Sequence, residues 1–223
     1  SEISFASDEI IGALRTQYAN IEDIVPLTYL QRGFVYESMA VASNQYDPYR
    51  IEYSIRLKGE LDIHALNRAW ESFIQRHQIL RLVMAPSDIA SDLGIILANV
   101  QNQLSYVETT GTEEERLNTL KHSDRNIPFN LNKGPLIRAS VTEIKKDEFV
   151  LLIANHHSVL DGWSMPIVFS EFSDLYLAEL TSTPALLQAP FKWRLQLEWL
   201  AQRDQEQSEK FWKEYLNDLA NPS

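Results

Sequence analysis

The chain has 223 residues, 44% of them hydrophobic, and 20 Lys and Arg against 31 Asp and Glu give a formal net charge of -11. That is enough chain for one large domain or two small ones with a substantial core, while the negative balance argues against nucleic acid or an anionic membrane as partner. Cysteine is absent, which excludes disulfides, thiolate zinc sites and a cysteine nucleophile; with no run near eighteen apolar residues and no secretion-signal pattern at the start, a cytoplasmic location is expected.

Residues 7–19 open with Ser7, Asp8 and Glu9 as a helix cap and carry Ile10, Ile11, Leu14 and Tyr18 at helical spacing. This short helix is either a linker tail or the start of the domain. Thr28 is placed to cap a second helix with Leu30, Phe34 and either Val35 or Tyr36 inward. Gly33 inside it, at about 1 kcal/mol relative to Ala, predicts close packing there. From Tyr49 the period becomes two: Ile51, Tyr53, Ile55 and Leu57 alternate with Glu52, Ser54, Arg56 and Lys58, a half-buried strand ended by Gly59.

Asp62 opens a helix whose apolar face holds Leu66, Ala69, Trp70, Phe73, Ile74 and an inward His77. Residues 78–83 lead into a strand, and Arg76 and Arg81 flank the junction. Further strands are expected over 93–98, after a turn at Ser87 and Asp88, and over 104–107. Glu113, Glu114 and Glu115 begin a surface helix through Leu117 and Leu120, in accord with the helix dipole. A loop with Pro128, Gly134 and Pro135 precedes a hairpin of strands over 136–144 and 148–154. After Gly162 the pattern is helical, with Ile167 or Val168, Phe172, Leu175, Tyr176 and Leu180 on one side. Residues 181–190 form a connector, and 191–219 are long and helical, with Leu195, Trp199, Leu200, Phe211, Trp212, Tyr215, Leu216 and Leu219 as apolar positions. The whole predicts an α/β fold of the α+β type, a mixed and largely antiparallel sheet covered by helices.

The chemistry gathers at 153–164. His156 and His157 stand side by side where an apolar strand leaves the core, and Asp161 and Gly162 signal a turn just after. Successive side chains on extended backbone face opposite ways, so one imidazole can face a cleft and the other the interior. An imidazole beside a cleft exchanges protons near neutral pH, its ordinary pKa being about 6.5. Asp161 is expected to accept backbone hydrogen bonds and to pair with an arginine, Arg76 or Arg81. Breaking a buried pair costs about 3–5 kcal/mol, so losing Asp161 should damage the site. Gly162 is expected where a side chain would obstruct the backbone or positive φ is needed, with Trp163 packed over the loop. Taken alone, the pair reads equally well as two satisfied core histidines. No third imidazole or His-x-x-x-His spacing is near, so no metal site is expected. Ser158 and Ser164 lie in no Gly-x-Ser-x-Gly elbow, and seven glycines form no phosphate loop.

Together, His156, His157, Asp161 and Gly162 resemble the His-His-x-x-x-Asp-Gly signature of condensation domains from nonribosomal peptide synthetases. Residues 26–31 resemble the family's opening motif and 76–81 its second, residues 128–138 resemble the segment before the catalytic strand, and 199–216 resemble the helix closing the first half. Tyr29 stands where proline is common and Arg32 where glutamate or glutamine is. The resemblance implies a chloramphenicol-acetyltransferase-like fold of two lobes arranged in a V. It implies the N-terminal lobe over 21–223, residues 1–20 being a linker or leading helix, with the C-terminal lobe absent and the isolated lobe inactive.

The implied reaction is amide formation between a donor acyl or peptidyl thioester and an acceptor aminoacyl thioester, His157 being catalytic and His156, Asp161 and Gly162 supporting. No cofactor is expected to bind directly, because both substrates arrive on phosphopantetheine arms of donor and acceptor peptidyl carrier proteins. A C-terminal lobe and a neighbouring adenylation domain complete the implied partners. Residues 22–28 and 161–166 resemble domains that accept a D-configured donor. Alternatives are a coenzyme A- or carrier-dependent acyltransferase or an epimerization domain of the same superfamily, and a non-catalytic lobe that docks carrier proteins.

Overall fold

The computed structural model describes residues 4–40 and 47–217. In chain order these form α1 (Asp8–Gln17), β1 (Ile21–Pro26), α2 (Tyr29–Ala40), β2 (Arg50–Lys58), α3 (Ile63–Arg76), a 3₁₀ turn (Gln78–Arg81), β3 (Leu82–Met84), α4 (Ser87–Ala90), β4 (Leu93–Leu97) and β5 (Ser105–Tyr106). Then follow α5 (Glu113–Arg125), β6 (Ile137–Lys145), β7 (Glu148–His156), a 3₁₀ turn (Gly162–Ser164), α6 (Met165–Thr181), α7 (Trp193–Ala201) and α8 (Gln205–Tyr215).

The strands make two sheets, ordered β1-β4-β3 and β2-β7-β6-β5. All pairings are antiparallel except that of β5 with β6. β7 lies between β2 and β6, which explains its apolar run: a central strand with both faces covered has no solvent side to make polar. Leu151 and Ile153 pack in the main core with Leu66, Trp70, Phe73 and Phe172 of α3 and α6. Val150 and Leu152, on the opposite face, pack with Leu120 of α5. The β1-β4-β3 sheet holds its own cluster of Val83, Leu93, Ile95 and Leu97, into which α1 inserts the fully buried Leu14.

Elements with strong local signals form as expected. Ser7 and Asp62 accept cap hydrogen bonds at the starts of α1 and α3, β2 ends at Gly59 with φ +107°, and α5 begins with a capping box from Thr112 to Glu115. Among the described residues no helix is long and apolar enough to cross a membrane.

Several faces turn out differently. On α2, Val35 rather than Tyr36 is buried, one of the two expected alternatives, but Gln31 is buried too whereas Leu30 and Tyr36 are 66% and 73% exposed, so the inner face is shifted from the one its apolar residues suggested. Gly33 has open space where a Cβ would stand, so no close contact explains it. On α6, Val168 and Phe172 go inward but Ile167 and Leu180 are exposed. The helical stretch after 191 is two helices, because Asp204 starts α8 as a new N-cap. Leu195, Trp199, Phe211, Trp212, Tyr215 and Leu216 are exposed, while Leu197 is the buried residue of α7. Leu219 lies outside the described residues.

Candidate active site

The C-terminal tip of β7 is fixed by its neighbours on both sides: the His156 N–H donates to Leu136 O at 2.9 Å and the His157 N–H to Tyr49 O at 2.8 Å. The two side chains part as the alternation requires. His156 is fully buried and His157 partly exposed. His157 lines a cavity of about 280 Å³ together with Thr28, Gln31, Phe34, Asp161 and Trp193.

The protonation pattern of each ring follows from its partners. Nδ1 of His157 is 3.0 Å from Leu160 O, and since a carbonyl only accepts, Nδ1 carries the hydrogen and Nε2 of the neutral ring is a free base. Phe34 stacks on this ring with centroids 4.9 Å apart and planes 13° from parallel, fixing its orientation. His156 has the opposite tautomer. Its Nδ1 accepts the Ser158 N–H at 3.2 Å and the Ser158 hydroxyl at 2.7 Å, so its hydrogen is on Nε2, which faces Ser38 Oγ at 2.9 Å and Asp47 Oδ2 at 3.5 Å. Burial pushes the His156 pKa below its ordinary value; the Asp47 carboxylate opposes that shift and His157 adds to it.

Asp161 is exposed and works as a cap: Oδ1 accepts the Ser164 hydroxyl at 2.7 Å and the Ser164 N–H at 2.9 Å. The Ser164 hydroxyl is the main reason its carboxyl is held below the usual range. The expected arginine partnership does not form. Arg76 binds Glu171 at 2.9 Å and the Gln188 carbonyl, and Arg81 binds Glu22 and the Leu97 carbonyl. Those carboxylates are part-buried beside the arginines, whereas Asp161 has water and Ser164 to satisfy it. His77 joins Arg76 on Glu171 at 2.8 Å, and there burial raises the Glu171 pKa but the two donors outweigh it and bring it down.

Gly162 also departs from expectation, since a Cβ there would meet nothing within 4 Å and its φ lies outside the left-handed region. Trp163 is 90% exposed and does not pack over the loop.

Four residues to which the sequence reading gives no role in the site complete it: Gln31, which falls within the 26–31 motif, Ser38, Asp47 and Ser158. Gln31 is buried and donates from Nε2 to Ser158 O at 2.9 Å. The available signal was a spacing, because positions 31, 34, 35 and 38 share one helix face, but polar Gln31 and Ser38 keep that face from looking like a core stripe. Behind the histidines, buried Asp124 binds Arg50 and, at 3.0 Å, Arg138, and the Phe129 ring lies under both guanidinium groups.

The family model for the condensation domain matches residues 21–223. A linear gramicidin synthase polypeptide of Brevibacillus parabrevis is 30% identical over 208 residues, covering 92% of this chain and 3% of that protein. Bacitracin synthase 3 of Bacillus licheniformis is 26% identical over 214 residues, covering 94% and 3%. Among solved structures, a variant of the starter condensation domain of the rhizomide synthetase aligns with a TM-score of 0.79 at 16% identity, over 90% of this chain and 50% of that one. The X-domain from teicoplanin biosynthesis, solved with OxyB, aligns at 0.74 and 23% identity, over 90% and 44%. The chain therefore spans about half the length of these solved chains and a small part of the synthetases, and its fold is the chloramphenicol-acetyltransferase-like one. With the same fold in its structural relatives and a family match running from residue 21 to residue 223, this chain belongs to the condensation-domain family of nonribosomal peptide synthesis.

Proposed function

We propose that this chain contributes the catalytic histidine to amide-bond formation between a donor acyl or peptidyl thioester and the amine of an acceptor aminoacyl thioester, each carried on the phosphopantetheine arm of a peptidyl carrier protein. The observation that carries this reading is the His157 ring: Nδ1–H is committed to Leu160 O, Phe34 holds the plane, and the ring with its basic Nε2 borders the cavity. In the reaction, the acceptor amine attacks the thioester carbonyl and passes one proton to Nε2. The tetrahedral intermediate then collapses to the amide, the C–S bond breaks, and the thiolate takes the proton back from the imidazolium. Such proton transfer contributes about 10²–10⁴-fold, and holding amine and thioester in line can contribute more.

His156 supports the loop from inside, and Asp161 caps the turn that leads into α6. Among the described residues none comes within 4 Å of a Cβ at Gly162, so the support proposed for it is not a close contact with them. Coverage of about half of the solved domains supports the need for a second lobe to close the cavity into a tunnel and complete the carrier surface. An adenylation domain would load the acceptor carrier. Residues 22–28 and 161–166 support a D-configured donor. Arg32, held by Asp92 at 3.7 Å and packed over Tyr29, gives the rim on α2 its own character.

The test is His157→Ala in the domain completed by both lobes, assayed from carrier to carrier. Amide formation is expected to fall about 10²–10⁴-fold, and an unchanged rate overturns the assignment. In the same assay the 223-residue chain alone is expected to form little or no amide, and D-donors are expected to outpace L-donors in the complete domain. Robust turnover by the chain alone, or an L preference, would reverse those two points.

A further inference from the structure

Three contacts with the histidine loop come from one face of α2, at three- and four-residue steps: Gln31 to Ser158 O, Phe34 to the His157 ring, and Ser38 to His156 Nε2. The last continues to a residue outside the helix. Ser38 donates its hydroxyl hydrogen to Asp47 Oδ1 at 3.0 Å, which leaves Ser38 Oγ as the acceptor for His156 Nε2–H. Asp47 Oδ1 also takes the Tyr49 N–H at 2.9 Å, and Tyr49 O in turn takes the His157 N–H.

We propose that Asp47 and Ser38 are positioning residues for His157, acting by holding the hydrogen of His156 on Nε2. This rests on the reading of His157 as the catalytic residue. With the hydrogen on Nε2, His156 Nδ1 is free to accept both Ser158 donors, and that pair of bonds folds the chain back so that Leu160 O meets His157 Nδ1. With the hydrogen on Nδ1, the ring would point N–H at N–H and the turn would open. Ser158, His156 and Asp47 are also hydroxyl, imidazole and carboxylate in series. Ser158 is only 5% exposed, however, and its own N–H shares the ring nitrogen with its hydroxyl, an arrangement for bracing a turn rather than for attacking a thioester.

Ser38→Ala combined with Asp47→Asn separates shape from chemistry. The Tyr49 N–H requires an acceptor at Oδ1, so the amide NH₂ takes the Oδ2 position, and with Ser38 Oγ gone it is the group that faces His156 Nε2 and drives the hydrogen to Nδ1. In the two-lobed domain the expected result is a kcat about 10²-fold lower with KM for the loaded carriers unchanged. Each single variant keeps one acceptor for Nε2–H, Ser38 Oγ in Asp47→Asn and Asp47 Oδ2 in Ser38→Ala, and should lose less, and Ser38→Thr with Asp47→Asn, which keeps the oxygen, should restore the rate to that of Asp47→Asn alone. Long-range ¹H–¹⁵N spectra of the histidine-labelled full chain should place the His156 hydrogen on Nε2 in the parent and on Nδ1 in the double variant. A parent spectrum with the hydrogen on Nδ1 overturns the proposal without recourse to any variant. Loss of turnover in H157A but not in the double variant overturns the positioning role alone, whereas no loss in H157A removes the reading of His157 on which it stands.

Discussion

The two histidines differ in what protons do to them. His156 is buried and its pKa lies below the ordinary value, so the unfolded chain binds a proton at about pH 6.5 while the folded chain resists it. The sign follows: below about pH 6.5 the unfolded state holds more protons, and stability drops as pH falls toward the folded pKa. Urea midpoints are expected to decline from pH 7 to pH 5, and less steeply in His156→Gln; equal slopes would assign the effect elsewhere. Asp161 is a smaller matter than a buried ion pair would be. As an exposed cap, its loss in Asp161→Ala should cost about 0.5–2 kcal/mol by denaturant titration, and a cost of about 3–5 kcal/mol would mean a partner other than Ser164. Alternation alone told that the two imidazoles could have different environments, but not which of them would face the cleft. It could not tell which carboxylate an arginine would find, because Glu22 and Glu171 reach Arg81 and Arg76 only through tertiary packing.

Elements whose apolar pattern and caps agree were legible at their ends and faces. α3 is the clearest, and its face against α6 carries much of the core: Trp70 is fully buried, meets the Phe172 ring edge-on at 5.5 Å and donates Nε1–H to Asn102 Oδ1. Trp70→Ala is expected to cost about 3–5 kcal/mol in unfolding free energy; a loss under about 1 kcal/mol would show that α3 does not anchor the fold. α2 was misread for the opposite reason. Its inner face carries Gln31 and Ser38 because the histidine loop presents groups that need polar partners, and its outer face carries Leu30 and Tyr36. Hydropathy finds the core side of a helix only when the core side is apolar. The break between α7 and α8 rested on a single cap, Asp204, within an otherwise helical pattern.

For the molecule as a whole, the ordered motifs identified the family where no single motif did, but they did not divide the strands into two sheets. β1 and β4 pair across everything from α2 to α4, a pairing that local periodicity does not encode. The surface carries large exposed apolar side chains, among them Tyr29, Tyr36, Trp163, Ile167 and Phe191. Such exposure goes with interaction surfaces or with aggregation. The chain by itself is expected to bind ANS and to self-associate as its concentration rises, as sedimentation velocity would detect; a monodisperse, ANS-silent chain would refute this.

The α2 face has one more consequence, and it concerns helical phase. Each residue added to an α-helix turns everything beyond it by about 100°. One residue inserted after Val35 would leave Gln31 and Phe34 engaged and swing Ser38 away from His156, unhitching the inner histidine while the outer one keeps its ring contact. Four inserted residues would nearly restore the angle but carry Ser38 about 6 Å along the axis. The site is therefore written partly as a distance counted in residues between Phe34 and Ser38, so that a change of length there should silence the loop even when every side chain it needs is still present.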